Sequence, residues 1–110
     1  MTVKEFLKKT YKRTPFVLVR PHAICNDGYE ISIQASRCHY CFPKKSLQYC
    51  NYTSVEVYVY GELNKKDLNA FIKNSSGYEE GTSLFHELDI NFLNHYLEEK
   101  HGGIAEVENV

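Results

Sequence analysis

The chain has 110 residues, 43% hydrophobic and 25% charged, with a formal net charge of −1 and four cysteines. That is the balance of one small globular domain, too short for a two-domain enzyme with its own cofactor fold. Its longest purely apolar run is Phe16-Val17-Leu18-Val19, far below the roughly 18 residues of a membrane span. Met1 to Glu5 lack the apolar stretch of a secretion signal, so the expected location is the cytoplasm. The charge is lopsided: nine of the basic residues lie in 1–55 with three acids, and eleven acids lie in 56–110 with four basic residues. The basic excess is too small for a nucleic-acid protein, and direct nucleic-acid binding is not expected.

Thr2 and Glu5 form a T-x-x-E capping box at the start of a helix that buries Val3, Phe6 and Leu7. Pro15 ends it. Phe16 to Arg20 reads as a strand, with Pro21 making the continuation an edge or a bulge. Asn26-Asp27-Gly28 is a hairpin turn. Its return strand, Tyr29 to Ser36, alternates cleanly, with Tyr29, Ile31, Ile33 and Ala35 on one face. A long aromatic-rich loop, 37–53, leads to the strand 54–60, in which Val55, Val57 and Val59 face one way and Glu56, Tyr58 and Tyr60 the other. Asn64 caps a second helix with the stripe Leu68, Phe71 and Ile72. A polar loop from Tyr78 to Gly81 precedes a strand at 83–88, and Asp89 caps a last helix that stops at Gly102-Gly103, where Ile104 folds back. The expected fold is α+β: a mostly antiparallel four-stranded sheet with helices on one face, in the order α-β-β-β-α-β-α. The expected domain spans 1–104, with 105–110 a flexible tail.

Two features carry chemistry. Cys38-x-x-Cys41 has the chelate spacing of a zinc knuckle, and Cys25, Cys50 or His22 could complete a tetrahedral site. Only one close pair is present, however, and buried thiols in a reducing compartment explain the cysteines equally. A redox role for Cys38-His39-Tyr40-Cys41 lacks the βαβ context it needs. The second feature is aromatic. Tyr40, Phe42, Tyr49, Tyr52, Tyr58 and Tyr60 are interleaved with Arg37, Lys44 and Lys45. Tyrosine is rigid and amphipathic and favoured at contact surfaces. These nine residues are the expected partner-binding set, with packing of the long loop as the competing role. No glycine-rich phosphate loop, H-E-x-x-H or G-x-S-x-G occurs, and no catalytic residues are expected.

The stretch Val19-Arg20-Pro21-His22, the hairpin Asp27-Gly28-Tyr29 to Ser32-Ile33-Gln34-Ala35-Ser36, and the turn His39-Tyr40-Cys41-Phe42-Pro43-Lys44 resemble a group of small phage and mobile-element proteins of Gram-positive gut bacteria. Lys100-His101-Gly102-Gly103 is similar too, and residues 45–80 depart most. In that pattern Cys41 belongs to the motif, whereas Cys38 and Cys50 do not. The resemblance implies a non-catalytic accessory protein that acts by stoichiometric binding, of the anti-CRISPR or another counter-defence type. Its expected partners are a host defence protein and a second copy of itself, without membrane attachment or a required cofactor. A zinc-stabilised module and a sponge for a nucleotide signal are the alternatives.

Overall fold

A computed structural model describes residues 1–13, 19–48 and 51–106. Its elements are α1 (Val3–Lys9), β1 (Ala23–Ile24), β2 (Glu30–Gln34), β3 (Ser54–Val59), α2 (Lys65–Lys73), β4 (Gly77–Tyr78), β5 (Leu84–Asp89) and α3 (Ile90–His101). The strands form one sheet in the order β1-β2-β3-β5-β4, antiparallel at every pairing. The fold is therefore α+β, but with five strands rather than four. The added strand is β4, placed in a loop by sequence. Gly77 and Tyr78 pair with His86 and Phe85, and two half-buried residues are too few to show an alternation. The first strand also moves. Thr14 to Leu18 lie outside the described residues, Val19 and Arg20 are not in a strand, and pairing begins at Ala23.

The capping signals act as written. Thr2 Oγ1 accepts from the Glu5 amide, and Glu5 Oε1 accepts from the Thr2 amide. Asn64 and Asp89 receive the amides of Asp67 and Phe92 in the same way. Gly102 closes α3 at φ 72°, a left-handed position that glycine adopts without a Cβ penalty. The valines of β3, Ile31 and Ile33 of β2, and Phe85 and Leu88 of β5 join Phe6, Leu7, Phe71, Leu93 and Leu97 from the helices in one core. No helix among the described residues is long and apolar enough to cross a membrane.

Arg20 is an unforeseen core member. It is buried, and its guanidinium donates to the carbonyls of Ala35 and Leu7. The Leu7 carbonyl belongs to the last turns of α1, the negative end of the helix dipole. Arg20 and Gln34 also exchange backbone-to-amide hydrogen bonds of 2.8 and 2.9 Å. The chain entering β1 is thereby tied to α1 and to the end of β2.

The C-terminal segment covers the outer edge of β1. Ile104 bridges Cys25, and the Ala105 amide donates to the Ile24 carbonyl at 2.8 Å. The N-terminal ammonium donates to the Ile104 carbonyl, and Lys9 pairs with Glu106 at 2.8 Å. Residues 105 and 106 are thus held against the fold, while 107–110 of the expected tail lie outside the described residues. A covered edge is one less template for unwanted strand pairing.

Candidate partner-binding face

Strand alternation divides the sheet into two faces. One side packs on the helices. The other presents Glu30, Ser32 and Gln34 from β2, Glu56 and Tyr58 from β3 followed by Tyr60, and Leu84 and His86 from β5. Ser32 lies opposite Tyr58, and Tyr58 opposite Leu84. This open face is the one the sequence points to.

Its aromatic residues form two groups. Tyr58 is 42% exposed and Tyr60 47% exposed, with ring centroids 5.2 Å apart. Tyr60 is fixed by His22: the phenol oxygen lies 2.7 Å from His22 Nε2, and the rings sit 4.3 Å apart. The second group is a strap, residues 36–47, laid over the β5 side. Tyr40 stacks on His86 at 4.0 Å, and Lys44 Nζ lies 4.9 Å from the Tyr40 ring centre. Tyr40 and Phe42 remain 48% and 59% exposed.

A bulge in β5 receives the strap. Val57 pairs with Phe85 and Val55 with Leu88, so His86 and Glu87 together oppose Glu56. Glu87 takes φ 48°, unusual for a residue with a side chain. Its amide then donates to the Tyr40 carbonyl at 2.9 Å, while the Tyr40 amide donates to Glu56 Oε2 at 2.9 Å. Both backbone groups of Tyr40 are anchored to the sheet. The Glu87 carboxylate accepts from Ser76 Oγ at 2.9 Å.

Within the strap, polar groups are used internally. Ser36 Oγ and His39 Nδ1 lie 2.6 Å apart, and Ser36 Oγ accepts the Cys38 amide. Burial pushes the His39 pKa down. Ser36 is fully buried, so this pair braces the loop rather than facing a substrate. Phe42 makes a bridge with Ser54 through its backbone while its ring points outward.

The nine expected contact residues therefore separate. Tyr40, Phe42, Tyr58 and Tyr60 reach the open face, and Arg37, Lys44 and Lys45 are exposed. Tyr52 does not: it is 4% exposed, its hydroxyl donates to the Lys45 carbonyl at 2.6 Å, and that oxygen accepts the Leu47 amide. It packs the loop from inside because it precedes β3, and its hydroxyl is held by the backbone of Lys45 and Leu47. Tyr49 lies outside the described residues. His22 and His86 join the face, and neither belongs to the expected set. The alternation about Phe85 was the available signal for His86.

The expected zinc ligands are dispersed among different neighbours. Cys25 is buried beside β1 and Ile104, where burial and then Asp27 push its thiol up to about 11. Cys41 donates to the carbonyls of Ser36 and Pro43. Cys38 is exposed, and Cys50 lies outside the described residues. No three His, Cys, Asp or Glu side chains among the described residues are disposed to hold a metal ion.

No protein-family model, curated protein or solved structure matches the chain.

Proposed function

We propose that the protein acts by stoichiometric binding, as an accessory protein of a mobile element that occupies a host defence protein through its open sheet face. One observation carries this reading. Four aromatic side chains, Tyr40, Phe42, Tyr58 and Tyr60, stand 42–59% exposed on one side of a sheet whose other side holds the core. Large rings left in water at such density are costly unless a partner covers them. The Tyr40–His86 stack and the Tyr60–His22 pair hold both tyrosines in place before binding, which limits the ordering cost. The resemblance of the hairpin and of the His39 to Lys44 turn to phage accessory proteins supports the biological setting.

The test compares wild type with Tyr58→Ala/Tyr60→Ala as bait in lysate of a bacterial host. A single protein captured in one-to-one ratio by wild type and lost with the variant supports the reading. Identical captures by both, or no capture by wild type, overturn it.

A further inference from the structure

The five strands contain no lysine or arginine. On the open face their charges are Glu30 of β2 and Glu56 of β3. Glu79, directly after β4, adds a third carboxylate, with its Oε1 3.3 Å from His86 Nε2. Glu87 adds a fourth at the bulge. Glu56 and Glu87 each use one oxygen, on the Tyr40 amide and on Ser76. Their second oxygens, and both oxygens of exposed Glu30, have no partner among the described residues. The cations beside this face, Arg37, Lys44 and Lys45, come from the strap.

The carboxylates stand next to the rings. Ile31 pairs with Val59 and Ser32 with Tyr58, so Glu30 falls beside Tyr60, one strand spacing of about 5 Å away. Glu56 precedes Tyr58 by two residues on the same side of β3, about 7 Å along the strand.

The chain itself shows what such a setting attracts. At Tyr40, His86 covers one ring face, Glu56 holds the backbone amide, and Lys44 Nζ lies over the ring, 4.9 Å from its centre. Lys44 makes no ion pair among the described residues, so the ring is its contact. Tyr60 repeats the arrangement: His22 lies against its ring at 4.3 Å, and Glu30 stands beside it. Tyr58 meets Tyr60 edge-on at 5.2 Å. Yet no lysine or arginine of the described residues lies over either ring, and both stay more than 40% exposed.

From this charge complementarity we infer that the open face takes an arginine side chain of the target protein, its guanidinium laid on the Tyr58–Tyr60 pair with Glu30 and Glu56 beside it. The inference rests on the reading of this face as a binding surface and adds the chemistry of what it receives. Arginine fits better than lysine because its plane stacks on a ring and its paired N–H groups match a carboxylate. A lysine ammonium holds its water more strongly.

Capped peptides of four arginines, four lysines or four glutamates, titrated into isotope-labelled protein and followed by NMR, test this. The arginine peptide is expected to shift the amides of Glu30, Tyr58 and Tyr60. The lysine peptide is expected to bind more weakly and the glutamate peptide not at all. Glu30→Gln and Glu56→Gln should each weaken arginine binding by about threefold. The second keeps an acceptor for the Tyr40 amide, and unchanged spectra elsewhere show that both are folded. Tyr58→Ala/Tyr60→Ala should weaken it further than either. Shifts confined to other acidic sites, such as Glu98 and Glu99 of α3, overturn the inference. So do equal binding of the lysine peptide and undiminished binding by both glutamine variants. Target capture that needs Tyr58 and Tyr60 but survives Glu30→Gln and Glu56→Gln removes this inference and leaves the binding function standing. Arginine peptide seated on the face without any captured target does the reverse.

Discussion

The Tyr40 ring stacks on His86 with centroids 4.0 Å apart and planes 17° from parallel, and this contact joins the strap to the sheet. Gly77 on the neighbouring strand faces the same imidazole, and a Cβ built there would stand in van der Waals contact, 3.4 Å from His86 Nδ1. Stacked rings contribute about 1 kcal/mol beyond their burial. A double-mutant cycle of Tyr40→Ala and His86→Ala, read by urea unfolding, is therefore expected to give a coupling of about 1 kcal/mol. Additive effects of the two substitutions defeat the view that this stack holds the strap.

Tyr52 and Tyr58 lie six residues apart and should behave oppositely. The Tyr52 hydroxyl serves both the Lys45 carbonyl and the Leu47 amide from a buried position. Tyr52→Phe leaves those backbone groups without that partner and is expected to cost about 1–3 kcal/mol, with faster tryptic cleavage at Lys44 and Lys45. Tyr58→Ala removes a ring that is largely in solvent, and is expected to move stability by less than about 0.5 kcal/mol. Denaturation midpoints and a cleavage time course check the pair. Equal losses in the two variants mean that Tyr58 is a packing residue and not a contact residue.

The sequence legibly encodes those parts of the fold that depend on local chemistry. The capping groups Thr2, Asn64 and Asp89, the Asp27-Gly28 turn and the alternation of β2 and β3 each need only neighbours along the chain. The order of elements was readable except for β4, whose two residues are held by their partners His86 and Phe85 rather than by their own pattern. Arg20 shows the same limit. Nothing near it in sequence marks it for burial, because its acceptors are Leu7 and Ala35, 13 and 15 residues away. For the candidate face, parity along β3 exposed Tyr58 and Tyr60 correctly. Parity has no meaning outside the strands, and there Tyr40, Phe42 and Tyr52 divide according to bonds to Glu56, Glu87, Ser54 and Lys45.

Thiol chemistry should separate the cysteines by environment. Cys38 is exposed, whereas burial raises the thiols of Cys25 and Cys41 and keeps the thiolate scarce near neutral pH. Labelling with a thiol-specific disulfide reagent is expected to show a fast equivalent that Cys38→Ser removes. Cys25 and Cys41 are expected to react only as the protein unfolds, so their labelling should accelerate with denaturant. Rapid reaction of Cys25 in the native protein contradicts its closed position between β1 and Ile104.

His39 gives the strap a pH dependence of defined sign. Burial disfavours its imidazolium, with the nearby Arg20 charge acting in the same direction and Glu56 opposing, so its folded pKa lies below the ordinary 6.5. The neutral ring, 2.6 Å from Ser36 Oγ, is the form that fits. Well above pH 6.5 the group is neutral whether folded or unfolded and leaves stability unchanged. As the pH falls below that value, the unfolded chain takes up the proton more readily than the folded one, and stability declines until the folded pKa is passed. Urea midpoints measured from about pH 7 to about pH 5, the range over which histidine titrates, are expected to fall for wild type. His39→Gln, which keeps a polar side chain without the titration, should flatten that decline. The same slope in His39→Gln and wild type means that the proton-linked loss belongs to another group, and the strap is not its source.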